Sequence, residues 1–281
     1  MSGNASWWQR LLGQSGPAPP AIDPDEFTDE VAARLRRAAP ATGVHVPTRL
    51  VVELDHGRRQ LRLQPLWQAM CATDEADHET SLRAFCDAAL DPRALAAAGP
   101  DDVLPLLATP EWLAGLCGGA GFGPGPMAET LAEGLSLVYA VDSAHGVEVV
   151  DAGWFTGQSL PTDSLRARAV ENLRGRLPGL EVQRGGGLNL VVAGGQYEAA
   201  VLLFDDFWAR ELPRLKGEAV VAMPSRDVLI YADSRSAGAV TELAAHARGI
   251  HADAAFALSP ALFIRHADGR ITPYSAISPG R

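Results

Sequence analysis

Two adjacent carboxylates, Asp205 and Asp206, and the later run Pro224-Ser225-Arg226-Asp227 form the densest set of chemistry-bearing residues in the C-terminal half of the chain. Neighbouring carboxylates ligate a hard cation, or raise one another's pKa so that one stays a proton donor beside an ionised base. Arg226 adds a planar guanidinium fork suited to a phosphate-like anion or to an acidic side chain of a partner. Asp205, Asp206 and Asp227 with Arg226 as anion clamp would serve a metal-assisted hydrolase or a phosphoryl-handling enzyme. The same residues also have a structural reading. Asp206 would cap the helix that follows, Asp205 would complete the turn before it, and Pro224 to Asp227 would form a β-turn with Asp227 accepting from backbone N–H groups. A turn needs no long cation, so Arg226 either pairs with Asp205 or Asp206 or recognises something outside the chain.

The remaining candidates complete no chemistry. The seven histidines include no H-x-x-x-H and no H-E-x-x-H, and His246 and His251 straddle an expected helix end at Gly249. There is no G-x-S-x-G elbow, and the single lysine, Lys216, lies in an expected loop. GGAGFGPGP (118–126) has glycines for a phosphate cradle, but no strand leads in, Pro124 and Pro126 lack donors, and no Lys-Ser/Thr follows. It reads as a connection. TDEADHET (73–80) could meet a cation or a basic partner, yet acids also gather where they offset the dipole of a helix N-terminus. Asn172 lies beside an apolar stripe, where its amide would bond a neighbouring strand or touch a ligand. No catalytic residue, metal or cofactor is assigned.

The elements that must position these residues emerge from periodicity. Asp23, Asp25 and Glu26 open a helix with Phe27, Val31 and Leu35 on one face, ending near Pro40. VVELD (51–55), a turn at His56-Gly57 and QLRLQ (60–64) make a hairpin, followed by helices around Leu66, Trp67 and Met70 and over 77–90. The stretch 91–134 has no clear period. A second hairpin joins 136–142 to 146–152, and 161–177 repeats leucine or alanine every four residues as an amphipathic helix capped by Thr162. Strands are expected at 179–184, 188–194 and 198–204, a short helix at 206–213, strands at 218–224 and 227–233, and a last helix at 236–249. The fold class is α+β, with antiparallel sheets and helices packed on one face, ordered α-β-β-β-α-β-β-α over 161–249. The expected organisation is an arm (1–22, with an amphipathic patch of Trp7, Trp8, Leu11 and Leu12), an N-terminal region (23–134) and a C-terminal domain (135–281).

Composition narrows the function classes. The 281 residues are enough for a real core, but the 47% hydrophobic share contains many alanines. The net charge of −10 opposes general binding to nucleic acid or anionic membrane, and it concentrates in the acid-rich segment 71–150. Three cysteines without C-x-x-C spacing predict reduced, buried thiols. The opening MSGNASWWQRLLGQSG has no basic n-region, and no apolar run reaches spanning length, so a cytoplasmic protein without a membrane span is expected.

LSLVYAVD (135–142), AVENL (169–173), GGQYEAAVLLFDDFW (194–208) and VVAMPSRDVLIYAD (220–233) together resemble the YtpQ-like family of uncharacterised bacterial proteins, domain of unknown function 1444. The resemblance spans about 23–266 and implies no established activity. The sequence departs from the family in the Gly-rich run 118–126 and in its Trp/Pro-rich N-terminus. The order of elements over 161–249 also looks like the type III secretion chaperone fold and its YbjN-like relatives, binding modules that often dimerise. The leading expectation is therefore a non-enzymatic adaptor that binds a protein partner or a second copy of itself. The alternatives are the hydrolase above and a small-molecule sensor with a pocket between its two halves.

Overall fold

The computed structural model describes residues 22–73, 77–91, 98–118, 125–143, 146–157, 162–177 and 179–275. The Trp7/Trp8/Leu11/Leu12 patch, residues 74–76 of the acidic run and residues 119–124 of the Gly-rich run lie outside the described residues, as does the side chain of the expected cap Thr162.

The chain begins with α1 (Pro24–Ala38), whose cap Asp23 accepts from the N–H groups of Asp25 (2.9 Å) and Glu26 (3.0 Å), with proline in the first turn. Its Phe27, Val31 and Leu35 are buried as the spacing requires. Next come β1 (Val44–Thr48), β2 (Val51–Leu54), β3 (Arg59–Arg62), α2 (Gln64–Cys71) and α3 (His78–Leu90). The unassigned stretch 91–134 contains β4 (Val103–Ala108), buried at all six positions, α4 (Pro110–Gly118) and β5 (Ala128–Ala132). Periodicity is silent on β4 because a strand covered on both faces has no polar alternation. The strands β6 (Leu135–Ser143) and β7 (Gly146–Val149) complete the first sheet, ordered β1-β2-β3-β7-β6-β4, with β5 also paired to β6. The expected boundary at 134/135 therefore runs through one sheet, because β6 hydrogen-bonds to β4, β5 and β7 together.

After α5 (Ala152–Gly157) and α6 (Thr162–Arg176), the second sheet is antiparallel throughout, ordered β13-β12-β10-β11-β9-β8. Its strands are β8 (Glu181–Gly185), β9 (Leu188–Val192), β10 (Ala219–Ala222), β11 (Leu229–Asp233), β12 (Leu262–Arg265) and β13 (Ile271–Pro273), joined in part by α7 (Asp205–Glu211) and α8 (Ala237–Asp253). Two expectations fail here. The strand expected at 198–204 is a 3-10 segment, Glu198–Leu203, buried at every position. A short apolar run buried all round carries no period that separates strand from helix. The helix expected to stop at Gly249 continues to Asp253, because Gly249 keeps a helical backbone instead of the positive φ of a helix-ending glycine.

The α+β class with antiparallel sheets holds. One face of the first sheet carries α1, α2 and α3 at its β1–β3 end, packed on Val52, Leu54 and Leu61, and α5 and α6 at its other end. Its opposite face, with Leu104, Leu106, Val138, Ala140, Val147 and Val149, meets the second half through the 3-10 segment, Phe207, Trp208, Val221 and Tyr231. The far face of the second sheet is closed by Ala239, Val240, Leu243 and Ala247 of α8. Layering thus places both sheets around one shared core, with helices outside.

Candidate functional site

The shared core does not extend across the whole first sheet. Along β2 and β3 the side chains alternate, so Val52, Leu54 and Leu61 go under the helices while Val51, Glu53, Gln60 and Arg62 are half-buried on the other face. The second half covers this face only in part, and beside Val51, Gln60 and Arg62 it leaves a groove of about 1040 Å³. One wall is Leu50, Val51, Gln60 and Arg62 with the first turns of α1 and α2 around Pro24 and Trp67. The other is Gly194 to Tyr197, Arg226, Asp227 and Phe256.

Both walls are held rigidly. Leu50, at a positive φ of 60°, is held where its N–H donates to Thr28 Oγ1 at 2.7 Å, and that hydroxyl donates to Pro24 O at 2.6 Å. Across the groove, the buried Glu198 carboxylate accepts from the N–H groups of Ala193 (2.9 Å), Gly195 and Tyr197 (3.0 Å), winding the Gly194-Gly195 loop around itself. Both glycines need positive φ values, +113° and +76°, which this winding imposes. The halves are pinned together behind the lining residues Arg62 and Tyr197 by Asp142, whose carboxylate accepts from Arg62, from Arg176 at 3.2 Å and from Tyr197 Oη at 2.8 Å. Burial, with the Asp142 carboxylate beside it, raises the Tyr197 phenol far above its ordinary value, so it remains a donor.

Arg226 sits in the turn between β10 and β11. The turn closes from Val228 N–H to Ser225 O at 3.3 Å, one residue later than the sequence suggests. Its backbone is fixed on both sides: Arg226 N–H donates to Phe256 O, and Arg226 O accepts from Ala199 N–H, each at 3.2 Å. The guanidinium lies over the Trp112 ring at 4.3 Å, with the Phe256 ring at 5.9 Å. Burial lowers its pKa while the Glu53 carboxylate and Tyr197 act in the opposite direction. Trp112 comes this close because Gly57 has φ +85° and no side chain, and a Cβ there would meet the indole nitrogen at 3.0 Å.

The other sequence-chosen residues go elsewhere. Asp205 does not complete a turn. It opens α7 and pairs with Arg265 at 2.5 Å. Asp206 does not cap α7, which has Phe204 at its cap position, and instead pairs with Arg174 at 2.6 Å. The Arg174 hydrogen bond holds its carboxyl below the ordinary value. Arg226 contacts neither of them. Asp227 accepts from the Ser225 hydroxyl, and desolvation with the Glu198 carboxylate nearby pushes its carboxyl up. Asp205, Asp206 and Asp227 thus serve three different partners, and no group of three His, Cys, Asp or Glu able to hold a metal occurs among the described residues. Asn172 donates to Pro100 O (3.0 Å) and Val103 O (2.9 Å), tying α6 to the start of β4. In the acidic run, Asp77 makes no cap and Glu79 forms a bidentate pair with Arg34 at 2.9 and 2.7 Å. The thiols are not uniformly buried: Cys86 is, Cys71 is half-buried and Cys117 is exposed.

Sequence reasoning found Arg226 but missed Arg62, Glu198 and Asp142. The signal for Glu198 was present, since an acid after Gly-Gly-Gln-Tyr can gather the N–H groups of the glycine loop. Arg62 and Asp142 have none, because their contact joins strands far apart in the chain.

The fold and groove define an α+β protein of two antiparallel sheets with a cleft between its halves. Comparison of the chain with protein-family models, with curated proteins and with solved structures finds no match. No helix among the described residues is long and apolar enough to cross a membrane.

Proposed function

We propose that the protein is a non-enzymatic binding module related to the YtpQ-like family, engaging a protein partner through the groove between its halves. The observation that supports this is the uncovered part of the first sheet's inner face, where Val51, Gln60 and Arg62 stand opposite the fixed turn of Arg226. Such a surface offers half-buried apolar and polar contacts on rigid walls, so little ordering cost attaches to binding. Free thiols at Cys71, Cys86 and Cys117 support a reducing compartment, the cytoplasm, as its place of action.

The test is nuclear magnetic resonance titration with degenerate peptide libraries. Shifts clustered on Val51, Gln60, Val147 and Gly195 are expected. Shifts confined to the outer face of α8, or none at all, would contradict the groove. Thermal stabilisation by Mg²⁺ or Mn²⁺ that disappears in Asp206→Asn would overturn the reading as a pure binding module.

A further inference from the structure

The groove contains three arginines, Arg49, Arg62 and Arg226, in different situations. Arg62 is matched by Asp142, so its charge is already answered inside the protein. Arg49 is exposed on a turn. Arg226 is half-buried, yet its guanidinium makes no ion pair or side-chain hydrogen bond among the described residues. A partly desolvated cation with no hydrogen-bonded counter-ion is costly, and Arg is not relieved by losing its proton.

What Arg226 does have is a seat. The guanidinium lies over the Trp112 ring, and none of its N–H groups donates a hydrogen bond among the described residues, so the fork remains available for donation. The main chain on both sides is tied down, so the fork is held before anything binds. The surrounding charges restrict the charge of the anion. The Glu53 carboxylate acts on the guanidinium from β2, Asp227 adjoins Arg226 in the same wall, and Asp23 and Asp25 lie on the groove margin. Arg226 is the only one of the three that is half-buried without an ion pair among the described residues, and carboxylates beside it favour a single negative charge over a phosphate dianion.

We infer that Arg226 is a carboxylate-binding subsite, and that the groove's occupant is an acidic segment of a protein partner whose Asp or Glu carboxylate takes the guanidinium edge in two parallel hydrogen bonds. This rests on the groove being the binding surface. The partner's flanking side chains lie along Val51, Leu50 and Trp67 on the facing wall.

Three degenerate heptapeptide libraries, alike except for a fixed central Glu, Gln or phosphoserine, separate the possibilities by fluorescence anisotropy. The Glu library should bind best, and its affinity should fall about tenfold or more in Arg226→Gln. Arg226→Lys, which keeps the charge but loses the fork, should fall between the two, and thermal melts confirm that both variants fold. Equal binding of the Glu and Gln libraries, unchanged in Arg226→Gln, would overturn the carboxylate subsite and leave the groove reading intact. Preference for phosphoserine would overturn it in favour of a phosphorylated segment. Self-association lost in Arg226→Gln would give the groove to a second copy of the chain and overturn the inference. If no library binds the wild-type protein, the groove reading itself fails, and the subsite with it.

Discussion

The hairpin β2–β3 and the hairpin β10–β11 are both antiparallel pairs of short strands, but they are used in opposite ways. In β2–β3 one face packs under α1, α2 and α3 while the other forms a wall of the groove. In β10–β11 both faces are buried, one under α8 and one in the core shared with the first sheet. The first hairpin offers a surface. The second has no surface to offer and presents only its turn, so rigidity and display are divided between them. The groove lies where a half-covered sheet meets the turn of a fully covered one, which is how the chain gets a fixed cation opposite an open strand face.

The strongest way to break that comparison is to loosen the fully buried hairpin. Trp208 is 1% exposed, packs edge-on to Phe207 and Tyr231 at 5.1 and 5.3 Å, and donates to Leu202 O at 3.0 Å. Trp208→Ala should cost about 3–5 kcal/mol in urea unfolding. If the hairpins are independent in stability, amide protection should be lost first in β10–β11. Next comes the join between the half-covered hairpin and the centre of the first sheet. A Cβ on Gly146 would lie 1.9 Å from Gln60 O, at a φ of +151°. Gly146→Ala should therefore destabilise by more than about 2 kcal/mol, with hydrogen exchange rising in β3 and β7 while β10–β11 stays protected. Uniform loss of protection would mean the two sheets unfold as one unit.

A smaller effect separates the halves by pH. Burial alone would raise the Glu211 carboxyl, but hydrogen bonds from Tyr231 and Arg184 overcome it and hold the group below its ordinary value of 4.5. A depressed folded-state pKa contributes stability above the unfolded value that is lost as pH falls through the folded one. The melting temperature should thus fall on acidification below about pH 4.5. Glu211→Gln should start lower at neutral pH and show a flatter acid slope, whereas parallel curves would remove Glu211 from the account. The smallest expected change has the opposite sign. A Cβ on Gly249 meets nothing within 4 Å and the backbone there is helical, so Gly249→Ala should stabilise α8 by roughly 0.5–1 kcal/mol in the same unfolding assay.

Legibility followed coverage. Helix α1 is readable through its acidic opening and its Phe27, Val31 and Leu35 face, and β2–β3 through alternation, because an element with one wet face writes its period into the sequence. Elements enclosed on all sides did not, as β4 and the 3-10 segment Glu198–Leu203 show. At the site, Arg226 stood out because a turn has no need of a long cation, while Asp205 and Asp206 misled because adjacency in sequence is not convergence in space. The pairing of each with a different arginine, Arg265 and Arg174, depends on which helix and strand pass by.

By itself the sequence determined the mixed class, the half-covered elements, the concentration of acid in 71–150 and the oddity of Arg226. These are local properties, set by side-chain type, spacing and backbone preference. Only the tertiary structure decided that β6 and β7 belong to the first sheet, that Asp142 joins Arg62, Arg176 and Tyr197, and that Arg226 faces a groove with Trp112 behind it. Each of those depends on contacts between residues distant in the chain. Such contacts are set by which faces the whole fold can cover, and the groove is the part it leaves uncovered.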